Sequence, residues 1–516
     1  MESVLPFHIL SRYSPHTGNS CTALAAALGG MKRKIVVLDD DPTGVQTVNG
    51  VYVYTSWDTG TMLEAFRSPE QMFFILTNSR GLTASESRCQ HEEIARNLAA
   101  ASRASGADFL LLSRGDSTLR GHWPMETEVL RKTLEPLTGK HYDGEVIYPF
   151  FPEGGRYTIN GVHYVRQGDL LVPAGQTEFA KDKSFGYSAS SLPAWCEEKS
   201  AGRYPAHACC RIDLPLLHAE DADKIAAKLA CVNGFGKIVV DSVDYEDTAV
   251  FVTALCRALA DGKEFLFRCA AALPKVLGGV PDRPLLKRED LVDPGNKNGG
   301  IILVGSHVDR TSRQLAVLRD SSCPVAFLEF NQHRVLETGG LEDEAGRILR
   351  KAEALLSSGK SVAVYTRRER LDLDSADSDR QLQISVRISD ALTGIIGNLS
   401  VRPSFIVAKG GITSSDIGTK ALHVRKALVK GQIRPGIPVW QTGEESKFPG
   451  LPFVIFPGNV GDDLDLLRIA ETLNAVPVVQ PSRRNISFPT PASLLFSITA
   501  SAFCFTASAA FSMAAP

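Results

Sequence analysis

Three consecutive carboxylates, Asp39, Asp40 and Asp41, follow directly on the apolar run Ile35 to Leu38. A short β-branched run bounded by charge reads as a buried parallel strand, and open α/β sheets place their ligands at the carboxyl ends of such strands. Pro42 stops the strand, and Gly44 lets the backbone turn closely around whatever the acids hold. Adjacent carboxylates repel one another, so a metal ion, a cationic partner or a shared proton is expected among them. A solvated acidic turn is the plain alternative.

Polar groups also follow two neighbouring apolar runs. Thr77, Asn78, Ser79 and Arg80 come after MFFIL, and Ser113 to Gly121, SRGDSTLRG, comes after FLLL. Arg80, Arg114 and Arg120 can each offer a planar fork to a carboxylate, so their convergence suits a small acidic ligand. Asp116 can orient one of these arginines, accept from a sugar hydroxyl, or simply brace two loops. Phe150 to Val165, FFPEGGRYTINGVHYV, reads as a loop carrying Arg156 and His163, the latter as a structural hydrogen-bonding residue.

In the second half, glycines stand at three strand ends. Gly305 and Ser306 follow IILV, Gly410 and Gly411 follow FIVAK, and Gly458 and Asn459 follow FVIF. Glycine there permits close backbone approach, and the amides opening a following helix favour an anion, which points to a nucleotide phosphate cradle. Thr413 to Asp416 resembles a capping box that would start such a helix. Gly359-Lys360-Ser361 does not complete a phosphate-binding loop, because Ala354 replaces the first glycine and the segment precedes a strand. No G-x-G-x-x-G follows an early strand either, which argues against a dinucleotide dehydrogenase.

The elements that must position these groups alternate. Strands are predicted at Met72–Thr77, Asp108–Ser113, Glu145–Tyr148 and Lys237–Asp241, and a helix from the T-A-S-E capping box at Thr83. A polar stretch, residues 281–299, reads as a linker. Further strands are predicted at Ile301–Val304, Val325–Phe330, Ser361–Tyr365, Phe405–Ala408 and Phe453–Phe456. The expected architecture is therefore two α/β domains, residues 31–280 and 300–476, each with a mostly parallel sheet flanked by helices and with the active site in the cleft between them. A chain of 516 residues is too long for a single core. A net charge of -2 without a dense basic tract argues against nucleic acid and membrane surfaces as partners. Ten cysteines without a C-x-x-C pair read as reduced thiols of a cytoplasmic protein. Residues 1–30 lack a signal-sequence pattern and read as a disordered extension. The Ser-, Ala- and Phe-rich tail, residues 477–516, is too diluted by Ser and Thr for a spanning helix and reads as low-complexity.

Taken in order, DDDPTG (Asp39 to Gly44), DSTLRG (Asp116 to Gly121), FPEGGRYTINGVHYV, VGSHVDRTSRQL (Val304 to Leu315), KGGITSSD (Lys409 to Asp416), RPGIPVW (Arg434 to Trp440) and PGNVG resemble the four-carbon acid sugar kinase family across roughly residues 32–474. The resemblance implies a sugar-acid-binding first domain, an ATP-binding second domain, Mg2+ as cofactor, and phosphorylation of a terminal hydroxyl on a threonate, erythronate or 3-oxo-tetronate type of acid. It assigns Asp40, Asp41, Arg80, Asp116 and Arg120 to the sugar-acid side and Ser306, Gly410, Gly411, Thr413, Gly458 and Asn459 to ATP; phosphoryl transfer also needs a carboxylate to take the acceptor's proton, and Asp41 is the candidate base. The metal ligands remain unknown, and a homodimer is compatible with the chain. Better known members have Gly-Gly-Glu-Thr where this chain has Gly410-Gly411-Ile412-Thr413. Two other readings stand beside this one. IVVLDDDPT also fits a haloacid dehalogenase-like Mg2+-dependent phosphatase with Asp39 as nucleophile, Asp41 as acid/base and Thr77 as phosphate ligand. A nucleotide and sugar-acid sensor would keep the sites without the catalysis.

Overall fold

The computed structural model describes residues 2–13, 16, 18–369, 371, 378–458 and 460–475. The predicted tail and Asn459 lie outside the described residues. Among the described residues fifteen strands form one continuous sheet. Its first-half portion runs Cys210–Ile212, Gly236–Val240, Gly144–Tyr148, Phe265–Cys269, Phe109–Arg114, Lys34–Asp39, Met72–Leu76 and Val51–Tyr54, with every neighbour parallel. Parallel strands covered on both faces need continuous apolar runs, and KIVVL, MFFIL and FLLL supply them. One face of Lys34–Asp39 contributes Ile35 and Val37 to the largest core cluster, and the other sends Val36 and Leu38 into a second cluster under the helices.

The helix Ala84–Ser105 begins as predicted. Thr83 Oγ1 accepts from the Glu86 amide at 3.3 Å, Glu86 accepts from the Thr83 amide at 2.8 Å, and Gly106 closes the helix in a left-handed conformation.

In the second half the strands Pro452–Phe456, Ile406–Lys409, Ile301–Val304, Ser361–Thr366 and Val325–Phe330 are again parallel. The two halves meet through an antiparallel pair, Lys426–Arg434 and Ile437–Thr442, absent from the sequence-based expectation. Lys426–Arg434 pairs antiparallel with Val51–Tyr54, with Leu428 opposite Tyr52, so the sheets of both halves join edge to edge by main-chain hydrogen bonds. Residues 281–299 are correspondingly not a loose tether. Leu286 is buried, its amide donates to Gln432 O at 2.8 Å, and a helical turn spans Arg288–Leu291.

Two more expectations are corrected. FPEGGRYTINGVHYV is not a loop but a hairpin, Arg156–Ile159 with Val162–Gln167, in a separate four-stranded antiparallel sheet. The described part of residues 1–30 is ordered: Leu5–Pro6 pairs with Leu170–Pro173, and the helix Ser20–Gly29 packs on the helix Tyr245–Ala260. Among the described residues no helix is long and apolar enough to cross a membrane. Leu24, buried at the contact of those two helices, measures what this packing contributes. Leu24→Ala should lower stability by about 2–4 kcal/mol in urea denaturation. An unchanged midpoint would return residues 20–29 to the status of a passive appendage.

Candidate active site between the halves

The acids at the end of Lys34–Asp39 divide into a back pair and a front member. Asp39 and Asp40 have side chains only 2% and 6% exposed, and both face Arg114 Nη1, at 3.3 and 3.6 Å. Burial pushes the Asp39 carboxyl up to about 8 despite Arg114, and burial raises Asp40 as well. Gly44 lies directly against Asp39: a Cβ there would fall 1.9 Å from Asp39 Oδ1, which explains why this turn takes no side chain. Asp40 Oδ2 accepts from the Asp116 amide at 3.1 Å. Arg114 is therefore an internal counterion, not a fork offered to a ligand, and Asp40 sits behind the cleft, positioning the residues that reach it. Asp39 has neither the exposure nor the space that attack on a phosphate ester needs.

Asp41 faces forward. Its side chain is 18% exposed, pairs with Arg80 Nη2, and accepts from the Thr43 amide at 2.8 Å. Burial would raise its pKa, but Arg80 and the Thr43 donors outweigh burial and hold it below the usual carboxylate range. Arg80 also reaches Asp116 at 3.4 Å, and Arg120 Nε donates to the other Asp116 oxygen at 2.7 Å. Asp116 is thus locked as an anion between two arginines. Arg120 and Arg156 both lie over the Phe179 ring, at 5.2 and 5.6 Å. Among the described residues no carboxylate pairs with Arg156, and burial lowers its pKa. Arg268 supports the cluster from the strand Phe265–Cys269 by donating to Arg120 O at 2.8 Å. Arg156 was read as part of a loop and given no role, and nothing in its spacing betrayed the contribution of Arg268. His163 is structural as expected: it is buried, contacts Ser117 O at 2.8 Å and Thr158 Oγ1 at 3.0 Å, and burial drops its pKa to about 4.

Across the cleft the three glycine turns meet. A Cβ at Gly305 would stand 2.7 Å from Thr413 Oγ1, one at Gly410 3.5 Å from Ser306 Cβ, and one at Gly458 3.7 Å from Ser306 Oγ. Gly410 has φ 124°, which side-chain-bearing residues rarely adopt. The helix starts at Gly411, not at Thr413. Thr413 and Asp416 form no capping box, and Asp416 instead accepts from Ser389 at 2.9 Å and pairs with Lys420 at 3.2 Å. Cations stand behind these turns. Arg368 donates to Ser306 O at 2.8 Å, and buried Lys409 donates to Pro457 O at 2.7 Å. The sequence assigns neither a role, since Lys409 ends one ordinary strand and Arg368 follows another.

The halves touch at the acids. A Cβ on Gly411 would lie 3.2 Å from Asp41 Oδ2, and Asn78 Nδ2 donates to Ser415 Oγ at 2.6 Å. Of the residues expected in the site, Asp41, Arg80, Asp116 and Arg120 line one wall, and Ser306, Gly410, Gly411, Thr413 and Gly458 line the other.

Both halves of the chain resemble known proteins. Residues 35–277 match a family model described as a sugar-binding N-terminal domain, and residues 301–466 match one described as a nucleotide-binding C-terminal domain. A D-threonate kinase of Cupriavidus necator is 25% identical over 375 residues, covering 70% of this chain and 78% of its own length. A solved protein of Salmonella typhimurium LT2 shares the fold with a TM-score of 0.58 at 19% identity, over 84% of this chain and 98% of the other. The Haemophilus influenzae protein HI1011 does so with a TM-score of 0.56 at 18% identity, over 84% and 99%.

Lys409 gives the nucleotide-side wall a measurable signature. Burial, reinforced by Arg310, pulls its pKa down to about 7 from an ordinary 10.5. The unfolded chain then binds the extra proton between these values, so this group's contribution to stability rises with pH from about 7 to 10.5 and is constant below that window. Urea denaturation of the wild type and Lys409→Met at pH 7 and pH 9 should show the wild type gaining on the variant at the higher pH. Equal shifts in both would remove the depressed lysine.

Proposed function

The chain belongs to the four-carbon acid sugar kinase family, and from that premise we propose that it transfers the terminal phosphoryl group of ATP to the end hydroxyl of a four-carbon sugar acid of the threonate, erythronate or 3-oxo-tetronate kind. The observation that carries this reading is the approach of Asp41 to Gly411, a carboxylate of the sugar-binding half set against the glycine turn of the nucleotide-binding half. Any side chain at 411 would fill the space through which a phosphate and an acceptor hydroxyl must meet. Since the C. necator relative is a D-threonate kinase, D-threonate is the first acceptor to test.

Bound MgATP, as substrate, supplies the phosphoryl group and the metal charge that disperses its negative charge. Arg120 and Arg156, flanking Phe179, hold the substrate carboxylate, which leaves the far hydroxyl directed toward Asp41. Asp116, fixed by Arg80 and Arg120, accepts from an intervening hydroxyl or holds those arginines in register. Asp41 stays ionised because Arg80 pairs with it, and it orients the acceptor hydroxyl and takes its proton as the new bond forms. A weak base suffices, since a loose phosphoryl transition state demands positioning more than basicity. Ser306, Thr413 and the backbone at Gly410, Gly411 and Gly458 would face the phosphates, with Arg368 and Lys409 fixing the turns from behind. The buried state of Asp39 speaks against the phosphatase alternative.

Asp41→Asn should cut sugar-acid-dependent ADP production by roughly a hundredfold or more, the usual scale for loss of a general base. Unchanged turnover would take Asp41 out of that role, and ATP-independent phosphate release from phosphosugars would favour the phosphatase. If a sensor without catalysis were the better reading, both ligands would bind with no ADP formed.

Arg120→Ala should weaken sugar-acid binding while calorimetry finds ATP binding nearly intact. The reverse pattern would exchange the assignments of the two walls. Gly411→Val should weaken ATP binding without a matching loss of melting temperature. Normal ATP affinity in the folded variant would dismiss the phosphate role of this turn.

A further inference from the structure

Away from the cleft, three residues from distant parts of the first half converge on one point. His16 precedes the helix Ser20–Gly29, His218 ends the helical segment Leu214–His218, and Asp247 lies in the first turn of the helix Tyr245–Ala260. Their donor atoms all lie within 4.8 Å of one another. His16 Nε2 and His218 Nε2 each stand 3.1 Å from the same oxygen, Asp247 Oδ1. The side chains of His16 and Asp247 are 1% and 0% exposed.

Hydrogen bonding accounts for only part of this arrangement. His16 Nε2 bonds to Asp247 Oδ1, but His218 Nε2, at the same distance, lacks the direction of a hydrogen bond, and His16 Nδ1 is also buried without one. Three donors gathered on one point, with only one of their mutual contacts satisfied as a hydrogen bond, are what a cation site offers. Tetrahedral zinc, with bonds of about 2.0–2.1 Å to nitrogen and oxygen, sets neighbouring donors about 3.3 Å apart, close to the two separations here. The carboxylate is already oriented for the task. Asp247 Oδ2 accepts from the Val243 and Asp244 amides at 2.8 and 3.3 Å, which leaves Oδ1 turned to the imidazoles. Asp244 Oδ1, 3.7 Å from His16 Nε2, and Glu220 Oε1, 3.6 Å from His16 Nδ1, stand near enough to complete or support the shell.

We propose that His16, His218 and Asp247 bind one Zn2+ ion, which fastens His16, ahead of the helix Ser20–Gly29, to the helices that carry His218 and Asp247. Two imidazoles and one carboxylate suit zinc and similar borderline cations, whereas Mg2+ prefers oxygen alone. None of these residues takes part in the catalytic reading, so the site stands or falls independently of the kinase assignment.

The test uses the full chain, stripped with a chelator and desalted, then titrated with zinc chloride by calorimetry and by thermal melting. One ion should bind per chain and raise the melting temperature, whereas Mg2+ at the same concentration should leave it unchanged. Co2+ in place of zinc should give visible d–d bands without a thiolate charge-transfer band. His218→Ala and His16→Ala should each weaken zinc binding by roughly a hundredfold or more, since losing even an outer-shell partner costs about 10–100-fold. Circular dichroism of the stripped variants checks that each folds, and either variant alone suffices. Absence of stoichiometric binding, binding unchanged in both variants, or thiolate bands with Co2+ would overturn the assignment.

Discussion

The balance of charge behind the cleft sets the conditions for the rest of the site. Isolated carboxylates cannot be buried at a strand end as anions, because desolvation and mutual repulsion both oppose them. Here Arg114 reaches Asp39 and Asp40 from the adjoining strand, and Arg80 takes Asp41 from the next loop on the other side. The compensation fixes three strand ends and their loops relative to one another. Removal of one cation from such a network leaves an uncompensated buried charge, a larger penalty than the contact energy itself.

This arrangement separates acids of identical chemistry by depth. Asp39, shut in behind Gly44, is driven toward the neutral form, while Asp41, two residues on, is held ionised by Arg80 and Thr43. Adjacent positions in one turn thus carry opposite tendencies, and only the outer one faces the nucleotide-side wall. The same logic recurs at Asp116, which two arginines keep charged beside Arg156, whose own charge has no such partner among the described residues.

Much of this was legible in the sequence where local chemistry decides structure. Continuous apolar runs marked most of the parallel strands to within a residue, though not Val51–Tyr54, Cys210–Ile212 or Phe265–Cys269, and Thr83 with Glu86 marked the start of its helix. Asp41, Arg80, Asp116 and Arg120, which the structure brings together, each stand just past such a run. Depth was not legible: nothing in DDDP tells Asp40 from Asp41, since which carboxylate is covered depends on Arg114 and Asp116, far along the chain. The hairpin at Arg156–Gln167 was hidden by its glycines, which mark turns as readily as loops. Thr413 to Asp416 misled for the opposite reason, a capping pattern overridden by a glycine pair that opens the helix two residues earlier. The strand Lys426–Arg434 escaped notice because its outer face, with half-buried Lys426, Lys430 and Arg434, is polar, and its partner is contributed by the other half of the molecule.

That last pairing bears on how the protein is made. The strand Val51–Tyr54 leaves the ribosome well before the strand that covers its free edge, Lys426–Arg434, has been synthesised. At about 5–20 residues per second the nascent first half would wait roughly 20–75 s with a parallel edge of unsatisfied amides and carbonyls. An open apolar edge is a template for pairing with any other extended chain. The charges of Lys426, Lys430 and Arg434 on one face of the covering strand oppose capture of neighbours by that later segment before it docks. The edge on Val51–Tyr54 has no comparable protection, so the interval before docking is when a newborn chain is most exposed to aggregation and most in need of a holding chaperone.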